Sequence, residues 1–189
     1  MKTLIINGSP RKNGDTAALL DTFTNHLEGE VKIVSHEDRI SPCYDCRFCK
    51  SYDGCPINDA MQDVYEYLED CDNVVLASPI WFASLSGPAL TIASRLQTRF
   101  CARYFRGEET EPNKNGILIL VGGQAGSEKA AEASARMILR NMDVLPENTM
   151  KVYSLDTDRL PAAEDETALS AAKEAALRLN MLWNAKQNG

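Results

Sequence analysis

Four of the six cysteines in this chain crowd into SPCYDCRFCKSYDGCP, residues 41–56. Cys43, Cys46, Cys49 and Cys55 form C-x2-C-x2-C-x5-C, and Pro56 follows the last. Spacing this tight lets one loop wrap a metal centre with three thiolates, and compact runs closing in Cys-Pro hold iron–sulfur clusters in bacterial ferredoxins. Four thiolates also suit tetrahedral zinc, although three cysteines so close are unusual for it. The remaining readings are buried structural thiols and a redox-active pair such as Cys46 with Cys55. Cys71 and Cys101 stand apart in sequence and are expected in the core, where lone cysteines generally sit.

Three further segments could hold a ligand. In NGSPRKNGDT, residues 7–16, Gly8 and Gly14 permit tight turns while Ser9 and Thr16 offer hydroxyls. A helix beginning there presents free N–H groups and partial positive charge to a phosphate, and Arg11 or Lys12 can add a charge-assisted bond. A plain capped turn uses the same residue types. Five residues separate Gly8 from Gly14 and Asp15 follows, so this is not a Walker A loop, and G-x-G-x-x-G is absent from the turn. In SPIWFASLSG, Pro79, Ile80, Trp81 and Phe82 place apolar surface where a chain usually turns polar, with Ser84, Ser86 and Gly87 after them. Such a rim suits a planar amphipathic ligand; packing in the core or against another subunit is the alternative. In VGGQAG, Gly122 and Gly123 let a flat ring approach the backbone, or simply form a glycine-rich turn. The two histidines, His26 and His36, lie apart from these groups, His26 on a helix surface. No G-x-S-x-G nucleophile motif occurs.

The elements that must position these residues follow from apolar runs. Leu4–Ile6, Val31–Val34, Val74–Ala77 and Ile117–Val121, with a weaker run from Met150 to Leu155, lack clean alternation and fit strands buried on both faces of a parallel sheet. Helical spacing appears at Ala17, Leu20, Phe23 and Leu27 after Asp15 as N-cap, and at Met61, Val64, Tyr65 and Leu68 after Asn58 and Asp59. Further helices are expected over 87–103, 127–141 and 165–186, and a polar loop over 106–115. Five alternations of strand and helix predict a doubly wound α/β sheet and suit the flavodoxin-like order 2-1-3-4-5, an order the pattern alone does not fix. The three ligand-type loops then all fall at the carboxyl ends of strands, where such sheets bind ligands. The expected organisation is one domain over 1–189 with a cysteine-rich loop at 41–56.

NGSPRKNGDT, SPIWFASLSG and VGGQAG, in this order and spacing, resemble the NADPH-dependent FMN reductase family over roughly residues 1–155. The resemblance implies a flavodoxin-like fold, noncovalent FMN, NAD(P)H as donor, a quinone, flavin or similar small acceptor, and a homo-oligomer whose interface helps form the flavin pocket. It implies that Ser9, Arg11, Asn13, Asp15 and Thr16 surround the FMN phosphate. Pro79, Ile80, Trp81, Phe82 and Ser84 would line the ring and ribityl chain, and Gly122 and Gly123 would border the isoalloxazine. Trp81 stands where the family often has tyrosine, and Asp15 where asparagine is frequent; an acid beside a phosphate is unfavourable unless it caps the helix instead. The cysteine run resembles that of the iron–sulfur flavoproteins, a branch with a 4Fe-4S cluster beside FMN. That resemblance implies Cys43, Cys46, Cys49 and Cys55 as ligands and a redox protein as partner. The flavin would carry the chemistry, with no catalytic side chain of its own.

Composition narrows the classes further. With 27 acidic and 20 basic residues the net charge is −7, which repels phosphate backbones and argues against nucleic acid as a partner. No run approaches the length of a membrane span and the first residues lack signal-peptide character, so a cytoplasmic protein is expected. Clustered thiols in a reducing compartment point to metal or redox chemistry rather than disulfides.

Overall fold

The structure, a computed structural model, describes residues 1–108 and 112–187. In chain order the elements are β1 (Lys2–Asn7), α1 (Asp15–His26), β2 (Glu30–Val34), α2 (Met61–Asp70), β3 (Asn73–Trp81), β4 (Ser84–Leu85), α3 (Gly87–Ser94), α4 (Gln97–Phe105), β5 (Lys114–Val121), α5 (Glu128–Arg140), β6 (Val144–Ser154) and α6 (Glu166–Gln187). Five strands pair in parallel as β2-β1-β3-β5-β6, and the two-residue β4 pairs antiparallel with β3. Setting the short β4 aside, this is the expected flavodoxin-like order.

Unbroken apolar runs form the central strands β1, β3 and β5, whose two faces are both buried, whereas the expectation of two buried faces fails for the edge strands β2 and β6, where Ile33 and Lys151 are exposed. Leu4, Ile6, Val74, Leu76, Leu118 and Leu120 face α2, α3 and α5. Ile5, Val75, Ile117, Ile119 and Val121 face α1 and α6, where Phe23, Ala172, Ala176 and Leu179 complete the second layer. Among the described residues no helix is long and apolar enough to cross a membrane.

Four local expectations need correction. The helix expected over 87–103 breaks between α3 and α4, where Arg95 and Leu96 donate to Ile92 and Ala93 three residues back. The tightened turn swings Arg95 inward, to a fully buried position. Gly14, not Asp15, is the N-cap of α1; Asp15 is the first helical residue, and its carboxylate accepts the Ala162 N–H at 2.9 Å. Strand β5 begins at Lys114, inside the expected 106–115 loop, and residues 109–111 of that loop lie outside the described residues. Lys114 is buried because its ammonium donates to the Cys71 and Glu69 carbonyls, a partnership hydropathy does not reveal. Strand β4 is unforeseen, two residues being too short to register as a run.

Candidate functional site

The β1–α1 loop, the β3–β4 hairpin and the β5–α5 loop meet at the carboxyl ends of the strands around a cleft of about 240 Å3. Ser9, Arg11, Asp15, Thr16, Pro79, Ile80, Trp81, Gly122 and Gly123 all line it. Asn13, Phe82 and Ser84 do not: Asn13 is exposed, Phe82 projects into solvent at the hairpin tip, and Ser84 pairs with Trp81 in the hairpin ladder.

Close approach rather than an unusual turn explains the first glycine. The Gly8 N–H donates to the Ala77 carbonyl at 2.7 Å, and its own carbonyl accepts the Ser86 hydroxyl at 2.6 Å. A Cβ on Gly8 would lie 2.6 Å from Ala89 Cβ. Loop one is thereby pinned to β3 and to the start of α3. Beside it the Ser9 hydroxyl accepts the Arg11 N–H at 3.2 Å, and Thr16 is buried in the first turn of α1. No side chain caps α1, so its leading N–H groups and partial positive charge face the cleft.

The hairpin holds two residues in the left-handed region, Phe82 at φ 51° and Ala83 at φ 58°. Two-residue loops of this hand normally use Asn or Gly, and a non-glycine residue there costs about 1–2 kcal/mol. The strained turn presents Trp81, 44% exposed, and the fully exposed Phe82 at the mouth of the cleft. Backbone strain of this kind clusters at functional sites.

Sequence reasoning missed Asp158. A Cβ on Gly123 would sit 2.5 Å from an Asp158 carboxylate oxygen, so the missing side chain leaves room for that acid at the cleft. The Asp158 N–H donates to the Gly123 carbonyl at 3.3 Å, and the Thr157 N–H to that of Gly122 at 3.1 Å. Both residues line the cleft. Their signal was positional: they follow β6 at the same end of the sheet.

Beyond the cleft, Cys43, Cys46, Cys49 and Cys55 border one cavity of about 40 Å3, and Cys101 of α4 joins them. All six cysteines are free thiols. Cys71 lies apart in the core as expected; Cys101 is equally buried but borders the cavity of the four loop thiols and does not stand alone. Burial, reinforced by Cys101, pushes the Cys49 thiol up to about 11. The loop is fastened at both ends of α4. Arg95 Nη1 donates to the Ser41 carbonyl at 3.0 Å and to Asp59 at 2.7 Å, and Nη2 to the Ile57 carbonyl at 3.2 Å. Arg106 donates to the Cys49 and Tyr52 carbonyls and pairs with Asp53. Burial opposes the charged form of Asp59, but the Arg95 bond and the Ser41 and Met61 N–H groups outweigh it and hold the carboxyl below its usual range.

The donor set is four loop thiols with Cys101 and Arg95 beside them at one cavity. Arg95 Nε is buried without a hydrogen-bond partner, and Arg95 lines the cavity with the thiols. An unpaired buried N–H is costly, and the arginine's charge also reaches Cys55. Among the described residues no three His, Cys, Asp or Glu side chains converge as they would around one ion. A four-iron cluster instead takes one thiolate per iron, so its ligands ring a core. On the outer side of the loop Tyr44, Asp45, Cys46 and Arg47 are exposed. A roomier groove of about 410 Å3 runs between α2 and α4, but its arginines, Arg99 and Arg106, are paired with Glu69 and Glu108.

The profile of the family described as NADPH-dependent FMN reductase matches residues 1–154. An iron-sulfur flavoprotein of Methanosarcina thermophila is 27% identical over 187 residues, which cover 95% of this chain and 93% of that protein. One from Methanocaldococcus jannaschii is 32% identical over 99 residues, half of this chain, and the match spans about half (51%) of that relative's length. Among solved structures, an NAD(P)H:quinone oxidoreductase from Methanothermobacter marburgensis superposes with a TM-score of 0.69 at 16% identity, covering 95% of this chain and 96% of the other. An FMN-dependent NADH-azoreductase from Bacillus anthracis, in complex with FMN, gives 0.64 at 16% identity, covering 94% and 98%. These two structures share the fold.

Proposed function

The chain belongs to the NADPH-dependent FMN reductase family, and from that premise we propose that it is an FMN-dependent oxidoreductase whose cofactor occupies the cleft at the strands' carboxyl ends. The observation that carries this reading is the meeting of three separate loops on an uncapped helix N-terminus flanked by the Ser9 and Thr16 side chains. Bound there, FMN supplies the redox chemistry, between NAD(P)H and a quinone, a flavin or a similar small acceptor. The chain's own residues bind and orient. The first-turn N–H groups with Ser9, Thr16 and Arg11 hold the phosphate, while Pro79, Ile80 and Trp81 wall the apolar part. Asp15 is engaged with Ala162 and is kept from the phosphate. Asp158 places a carboxylate at the cleft edge and disfavours added negative charge nearby. Trp81 and Phe82, exposed on one chain, form part of a homo-oligomer contact that covers the cleft mouth.

Anaerobic titration tests the reading. NADH or NADPH should bleach the flavin absorbance, and a quinone should restore it. Flavin that neither nucleotide reduces would contradict the proposed donor.

The buried, unpartnered Arg95 Nε beside four thiols favours a second reading of the same fold. Cys43, Cys46, Cys49 and Cys55 hold a 4Fe-4S cluster, and the protein relays electrons to a redox protein partner. Arg95 then supplies positive charge and a donor to the anionic centre. Iron and acid-labile sulfide per chain decide it: about four of each supports the carrier, and neither, after anaerobic reconstitution, leaves the plain reductase.

A further inference from the structure

Three parts of the cleft wall converge on one buried hydroxyl. Ser86, the N-cap of α3, is fully buried at the base of the β3–β4 hairpin. A serine hydroxyl carries a single proton. Ser86 donates it to the Gly8 carbonyl of loop one at 2.6 Å and accepts the Ala89 N–H of α3 at 3.3 Å. The Ser86 N–H in turn donates to the Ser78 hydroxyl of β3 at 3.0 Å, which closes the hairpin at its base. Ser78 is also fully buried, and its own proton has the Pro79 carbonyl at 2.8 Å, nearer than Ser86 Oγ at 3.3 Å. Ser78 therefore braces the hairpin alone, while Ser86 braces the hairpin, α3 and loop one together.

We infer that Ser86 is a positioning residue for the phosphate end of the cleft: without lining the cleft itself, its hydroxyl holds loop one where Ser9 and the first turn of α1 can meet a phosphate. The inference rests on the FMN reading above and extends it to a residue behind the wall. Gly8 directly precedes Ser9, so whatever fixes Gly8 fixes the start of the loop. Two bonds do so, the Gly8 N–H to the Ala77 carbonyl at 2.7 Å and the Ser86 hydroxyl to the Gly8 carbonyl. The first continues the β1–β3 pairing and is open to any residue with an N–H; the second needs a side-chain donor from α3. Glycine at position 8 admits that donor, since a Cβ there would stand 2.9 Å from Ser86 Oγ. The same hydroxyl ties loop one to the hairpin that carries Pro79, Ile80 and Trp81, and so sets the spacing between the polar and apolar ends of the cleft.

The test compares wild type, Ser86→Ala and Ser78→Ala by fluorescence titration with FMN and with riboflavin, and by hydrogen exchange at the Gly8 amide in flavin-free protein. Ser86→Ala should bind FMN about tenfold more weakly and riboflavin less than about threefold, as expected for one lost bond to a buried carbonyl. Exchange at Gly8 should quicken by about the same tenfold, because the loop opens more easily. Ser78→Ala loses a buried hydroxyl but keeps the tie to Gly8, so its FMN-to-riboflavin ratio should stay within about threefold of wild type. Equal losses for the two flavins in Ser86→Ala, or the same selective loss in Ser78→Ala, would overturn the inference by making Ser86 a structural residue only. A Ser86→Ala protein that matches wild type in Gly8 exchange and FMN affinity would overturn it while leaving the FMN reading intact. Wild-type protein that binds neither flavin would overturn the FMN reading and this role with it. Should Ser86→Ala fail to fold, Ser86→Gly keeps a tolerated N-cap residue without the hydroxyl and decides in its place.

Discussion

Replacing Gly8 by alanine places a methyl group 2.6 Å from Ala89 Cβ, 2.9 Å from Ser86 Oγ and 3.1 Å from the Ala77 carbonyl oxygen. The closest of these is about 0.8 Å short of ordinary contact, and two neighbours belong to the sheet and to α3, which cannot turn aside. Loop one must therefore lift, stretching the Gly8–Ala77 and Ser86–Gly8 hydrogen bonds. Overpacking of this kind costs roughly 1–3 kcal/mol, and each weakened bond adds up to about 1 kcal/mol. A loss of about 2–3 kcal/mol is expected, lowering Tm by roughly 5–10 °C. FMN affinity should fall at least tenfold with it, because the lifted loop carries Ser9 and leads into the first turn of α1 with Thr16. Gly87 is the control. It opens α3 with nothing within 4 Å of where a Cβ would stand, so alanine there should be neutral or stabilising by up to about 0.5 kcal/mol. Urea unfolding of the flavin-free protein and flavin fluorescence titration read the two effects. A Gly8→Ala protein as stable as wild type, with unchanged FMN affinity, would refute the close approach as the reason for glycine.

Thr16→Val removes a hydroxyl expected to bond the phosphate, so FMN should bind about 10- to 150-fold more weakly while riboflavin changes less than about threefold; equal losses would move the phosphate elsewhere. Asp59 has a lowered folded pKa, so its contribution to stability is complete above its unfolded value of about 4 and is lost as pH falls through the lower folded one. Asp59→Asn should therefore flatten the acid limb of a urea-midpoint profile, and an unchanged limb would show that the Arg95 pair does not govern it. Phe82→Gly relieves a left-handed backbone and should stabilise the isolated chain by up to about 1 kcal/mol while weakening self-association in light scattering; loss of stability with unchanged association would contradict the rim assignment.

Much of the fold was legible because parallel strands buried on both faces leave short unbroken runs such as Ile117–Val121, and alternation with helices then fixes their kind. The ends of elements were less legible where one side chain has a distant partner. Arg95 reads as an ordinary helix residue until Asp59 and the Ser41 and Ile57 carbonyls are seen around it. Asp15 looked like a cap, yet its partner is Ala162, 147 positions away. The cleft was legible as three loops at one end of the sheet, but Asp158 was not, because its place above Gly123 depends on the turn after β6. Cys101 shows the same limit. Its burial follows from its residue type, while its meeting with Cys49 depends on how the cysteine loop folds back on α4.

The central claim is that the cleft is built for FMN, and flavin content tests it most directly. Protein purified without added flavin, then saturated with FMN and freed of excess, should release about one FMN per chain on heating, identified by chromatography, and Gly8→Ala should release much less. Protein that carries no flavin and takes up none when FMN is supplied would contradict the account.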